Sequence, residues 1–369
     1  MTDLSSLFTP FKLGNLELPN RIVMAPMTRC QSPDYTPGPD VAAYYARRAK
    51  GGTGLIITEG TTVDHPVATA NDTIPAFHGR ALEGWKAVLA EVHAAGGLIM
   101  PQLWHLGMAR NPATSPDPSL PSAGPSGLVS PGKRMTEPMR DEDIQDVVDA
   151  FARAAADAQT LGFDGVELHG AHGYLIDQFF WVGTNERTDI WGGDHVGRTR
   201  FGVEVVRAVR RAVGKEFPVV LRWSQWKMGD YAVRLVETPR ELEQFLQPLA
   251  AAGVTAFHCS TRRFWDTEFP DSGAELNLAG WTKRLTGLPT ISVGSVGLSK
   301  ADEVATRGEK INVSVANLEL LATAVARGDF DLVAVGRALL ANPEWPMLVR
   351  EGRFDELVDY SGDALATLY

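Results

Sequence analysis

The chain has 369 residues, 44% of them hydrophobic, and a formal net charge of −10, which suits one large α/β domain or two small ones and disfavours a nucleic-acid or anionic-membrane partner. Two cysteines, Cys30 and Cys259, are too few for a disulfide framework or a four-cysteine cluster and point to a reducing compartment. Met1 to Leu7 lack a basic stretch leading into a long apolar one, and no apolar run approaches the roughly 18 residues of a membrane span, so a soluble cytoplasmic protein is expected.

Short β-branched runs ending in small or polar residues alternate with helical patterns, as in a parallel sheet of βα units. In chain order, strands are predicted over residues 21–25, 54–58 and 98–103, with helices over 40–50, 80–95 and 141–161. The third strand and the third helix are separated by an excursion over 111–140, rich in proline, serine and glycine. Strands over 165–168, 219–223 and 256–260 follow, with helices over 197–213, 239–252 and 280–285. A second excursion, 262–278, carries Phe264, Trp265 and Phe269. The last pairs are strands over 290–293 and 332–335 with helices over 318–326 and 343–350. Eight strands, each followed by a helix, predict a single (β/α)8 TIM barrel over 1–369, both excursions leaving the C-terminal mouth where long loops shape a site. An open doubly wound sheet is the alternative, but it would use fewer strands and show a glycine-rich dinucleotide turn. Arg207, Arg210 and Arg211 cluster on a predicted helix and read as a solvated face.

Chemistry concentrates after the fourth strand, in Leu168-His169-Gly170-Ala171-His172-Gly173-Tyr174-Leu175. A protonated phenol and two imidazoles on one loop can donate three hydrogen bonds into one pocket. Two imidazole N–H groups on a carbonyl oxygen would stabilise the enolate formed when a hydride adds to a conjugated C=C, and Tyr174 would supply the proton. Satisfied loop histidines and a packed tyrosine are the plainer alternative, favoured for any one residue alone. A metal site is not expected, since His-x-x-His finds no third ligand at a recognisable spacing. Arg187 and Asp189, in Gly183 to Gly193, read as a structural pair in an ordered turn. After the seventh and eighth strands, Gly294-Ser295 and Gly336-Arg337 stand where barrels bind phosphate. With no Gly-x-Gly-x-x-Gly after any strand, a phosphate-bearing flavin fits better than a permanently bound dinucleotide. Reduced flavin is anionic and needs a cation, for which Arg222 at the end of the fifth strand is placed.

The segments Asn20-Arg21-Ile22-Val23-Met24-Ala25-Pro26-Met27-Thr28-Arg29, Gln102-Leu103-Trp104-His105, His169 to Tyr174, Asn185-Glu186-Arg187-Thr188-Asp189 and Gly336-Arg337 resemble, in the same order, those of the Old Yellow Enzyme family. The resemblance runs from about Leu7 to Arg350. It implies an FMN-dependent ene-reductase on a (β/α)8 barrel, with tight non-covalent FMN and NAD(P)H as transient reductant. Ala25, Pro26, Met27 and Thr28 would line the flavin, the Thr28 hydroxyl near its N5/O4 edge, with Gly60 and Gln102 at the ring system. Arg222 would sit by N1/O2, while Gly294, Ser295, Gly336 and Arg337 would hold the phosphate. Trp104, Trp226 and Trp265 would line the substrate pocket. The expected partner is a small electrophilic alkene, with no nucleic acid or membrane, and either a monomer or a homodimer is compatible. Threonine at position 28 resembles the classical members, and Cys30 reads as packing. Trp223-Ser224-Gln225-Trp226 and Arg262-Arg263-Phe264-Trp265-Asp266 are more aromatic than the usual pattern. An aromatic cage with Asp266 for a cationic amine is therefore the second expectation, a flavin-dependent amine oxidase or demethylase without an iron–sulfur cluster. A flavin-storage barrel is a third, which leaves the His-His-Tyr loop without a purpose.

Overall fold

Strands buried on both faces read as continuous apolar runs, and Ile22-Val23-Met24, Leu55-Ile56-Ile57 and Leu332-Val333-Ala334-Val335 are such runs. In the computed structural model, which describes residues 3–299 and 310–369, they are parallel strands of a closed barrel. Its eight staves are β1 (Ile22–Met24), β2 (Leu55–Thr62), β3 (Ile99–Trp104), β4 (Val166–His172), β5 (Val219–Lys227), β6 (Ala256–Ser260), β7 (Thr290–Val293) and β8 (Leu332–Val335). They follow in sequence around the barrel, and β8 closes on β1 with Ala334 beside Val23. The single (β/α)8 barrel predicted from the strand count is the observed architecture.

The helices are α1 (Pro39–Lys50), α2 (Ala81–Ala94), α3 (Asp141–Leu161), α4 (Leu175–Phe180), α5 (His195–Arg198), α6 (Arg200–Val213), α7 (Pro239–Ala252), α8 (Leu278–Thr286), α9 (Val315–Arg327), α10 (Arg337–Ala341) and α11 (Trp345–Arg350). Capping fixes several boundaries. At α7, Thr238 Oγ1 accepts the Glu241 N–H at 3.2 Å while the Glu241 carboxylate accepts the Thr238 N–H at 3.2 Å. The helix predicted over 197–213 is broken into α5 and α6, and α4 and α10 went unpredicted because one or two turns carry no readable period.

Two differences bear on the site. The strands predicted over 165–168 and 219–223 run on to His172 and Lys227, so both histidines lie on β4 itself and not on a loop after it. The polar extension keeps its ladder through a register shift between Gly170 and His172, where the His172 N–H donates to Ser224 Oγ at 3.0 Å. At the opposite end, an unpredicted hairpin, Phe11–Leu13 with Leu16–Leu18, buries Leu13 and Leu18 against Val23, Leu55, Ala256 and Ile291 and plugs the barrel floor. The interior is thus apolar below and polar above.

The first excursion is ordered by a short hairpin, Leu128–Ser130 with Lys133–Arg134, and by Arg187. Arg187 forks onto Asp189 as expected, and its Nη1 also donates to the carbonyls of Pro125 and Met139 at 2.9 and 2.6 Å. Arg210, expected on a solvated face, instead donates to the carbonyls of Gly253 and Gly214 at neighbouring loop ends. Among the described residues no helix is long and apolar enough to cross a membrane.

Candidate active site

The C-terminal ends of the strands surround a cavity of about 330 Å³. Ala25, Pro26 and Met27 line it after β1, His172 on β4, Arg222 and Trp226 on β5, Ser260 on β6, Gly294 and Ser295 after β7, and Gly336 and Arg337 after β8. Ten of the residues singled out from sequence therefore share one cavity, although they come from five separate parts of the chain. Tyr360, from a two-residue strand near the end of the chain, completes its rim without any readable sequence signal.

His169 and His172 meet edge to face at 5.2 Å between ring centroids, and Tyr174 is edge-on to His169 at 4.9 Å. Trp104 stacks beside His169 at 5.9 Å and meets Tyr174 edge-on at 4.8 Å, and these three side chains form a cluster next to His172 outside the cavity lining itself. Trp226 stacks on His172 at 4.3 Å and does line the cavity. Burial, reinforced by the Arg222 charge, holds both imidazoles well below the ordinary histidine range, so each is neutral at pH 7 with one N–H to donate. Burial raises Tyr174, partly offset by Arg222, so the phenol is protonated. His169 Nδ1 faces the Ala171 N–H at 3.4 Å, which places its own proton on Nε2. The His172 backbone, at φ 66°, turns sharply into Gly173 at φ 83°.

A buried acid that sequence reading passed over organises the barrel interior. Glu167 accepts from Gln102 Nε2 at 2.7 Å and from His258 Nδ1 at 2.6 Å, all three side chains being buried. Its charge opposes the desolvation that pulls Arg222 down. The only hint was a glutamate inside the apolar run of β4. Beneath the His172–Tyr174 turn, Asp177 accepts the Gly173 N–H at 2.6 Å and pairs with Lys227 at 2.8 Å, both side chains almost fully buried. That pair, too, was unreadable, because its members are 50 residues apart.

Several of the residues named from sequence lie outside the cavity lining. Gly60 lies under Trp104, where an added Cβ would come within 2.5 Å of the indole, and the Gln102 amide nitrogen is engaged by Glu167. Thr28 is exposed and lies outside the cavity lining. Cys30 is exposed, at φ 52°, and is not a packing residue. Trp265, expected at the substrate pocket, stands edge-on to Phe264 and lines a hollow apart from the cavity, with Arg327 and Asp329. The amine cage is not assembled either: Asp266 is paired with Arg263 at 3.0 Å, and the Arg262 guanidinium lies 4.0 Å over the Tyr231 ring and 6.0 Å from Trp226. A face already holding a guanidinium repels a second cation.

The chemistry of the cavity fits a flavin phosphate. Arg222 Nε is buried with no partner, a donor awaiting an acceptor. Gly294, at φ 142°, lets the chain pass so close to the 261–263 segment that a Cβ would meet the Thr261 carbonyl at 2.8 Å. Ser295, at φ 50°, faces Arg337 Nη2 at 3.4 Å, which brings the two predicted phosphate turns together.

Residues 6–356 match the NADH:flavin oxidoreductase / NADH oxidase family. The chain is similar to an NADH oxidase of Thermoanaerobacter brockii, with 34% identity over 367 residues, 97% of this chain and 52% of the relative. It spans about half the length of this and several other curated relatives it matches. Among solved structures it resembles morphinone reductase in complex with tetrahydroNAD, at 29% identity and a TM-score of 0.80 over 97% of this chain and 93% of that one. It also resembles an Old Yellow Enzyme from a Pichia species, at 27% identity and a TM-score of 0.80 over 98% and 90%.

Proposed function

Because the chain belongs to the NADH:flavin oxidoreductase / NADH oxidase family, that of the Old Yellow Enzymes, we propose that it is an FMN-dependent reductase of activated C=C bonds that takes its electrons from NAD(P)H. The observation that carries this reading is the convergence of two neutral imidazoles and a protonated phenol beside a buried arginine with an unpartnered Nε. When bound, FMN supplies a hydride from its N5 to the β-carbon of an α,β-unsaturated carbonyl or nitro compound.

The protein's part is to hold, polarise and protonate. His169 and His172 donate to the activating oxygen and so stabilise the charge that develops there, at neutral pH and without proton transfer of their own. Tyr174 gives its proton to the α-carbon. Arg222 balances the negative charge of the reduced cofactor, and Glu167 behind it keeps the guanidinium ionised in a buried setting. Ala25, Pro26, Met27, Thr28, Gly60 and Gln102 are assigned to the ring system, and Gly294, Ser295, Gly336 and Arg337 to the phosphate. Trp104 and Trp226 flank the two histidines and set the width of the slot above them.

Anaerobic stopped-flow on the yellow holoprotein tests this reading: reduction by NADH or NADPH, followed by reoxidation with cyclohexenone. Bleaching by a nicotinamide and return of colour with the enone are expected. A flavin that methylated amines bleach and enones leave reduced would refute it.

A further inference from the structure

Ser260 ends β6, and its hydroxyl lies between two members of the site. His172 Nε2 is 2.7 Å from Ser260 Oγ, and Arg222 Nη2 is 3.3 Å from the same oxygen. A guanidinium has only donors, so Arg222 uses an acceptor position on Ser260 and leaves the single hydroxyl hydrogen to be placed. His172 is neutral and also has one hydrogen. Were that hydrogen on Nε2, it would point at Ser260, and the serine's own hydrogen would need some other acceptor in a buried setting. With the serine donating to Nε2, each group is satisfied in one direction, from Arg222 through Ser260 to His172. The proton of His172 is then on Nδ1.

We propose that Ser260 is a positioning residue that fixes His172 as the Nδ1–H tautomer, opposite to that of His169. His169, whose Nδ1 accepts the Ala171 N–H, keeps its proton on Nε2. Ser260 is itself held from the other side, since its carbonyl accepts the Trp226 indole N–H at 3.1 Å while that indole stacks on His172 at 4.3 Å. This rests on the reading of His172 as a ligand-binding donor and sharpens it. Two donors of fixed tautomer take an acceptor-only oxygen, such as a carbonyl, a nitro group or a phenolate, and leave a ligand N–H or O–H without an acceptor.

The test uses the FMN-loaded protein with 15N-labelled histidine. Long-range 1H–15N correlation reports which ring nitrogen carries hydrogen, and His172→Ala identifies the His172 signals. The expected wild-type pattern is Nδ1–H at His172. It should shift toward Nε2–H, or a mixture, in Ser260→Ala, and return in Ser260→Thr, which retains the hydroxyl. An Nε2–H pattern in the wild type, which needs no variant to observe, overturns the proposal, as does a pattern unchanged in Ser260→Ala. Titration with a para-substituted phenol, followed in the visible flavin spectrum, should show about tenfold weaker binding in Ser260→Ala, in line with one lost hydrogen bond, and recovery in Ser260→Thr. Tighter binding in Ser260→Ala would mean that the serine competes with ligand, and overturns the proposal. An Nδ1–H tautomer with phenol binding unchanged in both Ser260→Ala and His172→Ala sinks the ligand-donor reading alone.

Discussion

Burial keeps the Tyr174 proton in place, and that proton is needed in only one half of the proposed cycle. Tyr174→Phe should therefore slow alkene reduction by about 10²-fold or more while flavin reduction by the nicotinamide stays within a few-fold of wild type. Equal losses in the two half-reactions, resolved by stopped-flow, would remove the proton-donor role. His172→Ala removes one of two donors and should weaken phenol binding by about tenfold, read as a dissociation constant. His169, His172 and Tyr174 were legible because three proton-handling groups within six positions of a strand end have little structural use together. Ser260 and Glu167 were not, since a lone serine and a lone glutamate gain meaning only from neighbours that the barrel brings in from other strands.

At the scale of elements, the turn from β4 into α4 hangs on one buried ion pair. Burial pushes Asp177 up and Lys227 down, and their mutual attraction offsets both shifts. Lys227→Met would strand the Asp177 carboxylate in the interior and should cost about 3–5 kcal/mol in urea-induced unfolding, with most of it regained in the double variant carrying Asp177→Asn. A Lys227→Met protein of wild-type stability would show that the pair is idle. Gly60→Ala would drive a Cβ into Trp104, and Trp104 carries Tyr174 on its edge. Alkene reduction and FMN content should both fall several-fold; a Gly60→Ala protein with wild-type FMN content would remove Gly60 from the flavin site. Apolar runs made the strands of β6, β7 and β8 readable to the residue. The polar ends of β4 and β5 were unreadable because their ladder depends on each other and not on their own composition.

For the whole molecule, acid is the natural denaturant. His65, His105, His169, His172 and His258 are all lowered by burial, so below about pH 6.5, the ordinary histidine value, the unfolded chain binds protons that the folded one refuses. Each such group makes stability rise with pH. Glu59, raised by burial to about 7, and Asp157 and Asp177, also raised by burial, have the opposite sign, favouring the folded state at lower pH and losing that contribution as pH rises. Five groups against three predict a melting temperature that falls from pH 7 to pH 5; a flat or rising profile would contradict the neutral state assigned to the histidines.

The closing of β8 on β1 has a consequence for how the protein folds. Arg21 Nη1 donates to the Asp331 carbonyl across 310 residues of chain, so this joint is the longest loop the barrel must close. The cavity walls after β1 and β8 stand on either side of it, Ala25 to Met27 on one and Gly336 and Arg337 on the other. A cofactor gripping both would act as a clasp, and at a hundredfold excess over its dissociation constant it would add about 2.7 kcal/mol to the closed form. Amide hydrogen exchange should then slow most at β1 and β8 when FMN is added to the apoprotein, with the outer helix α3 little affected.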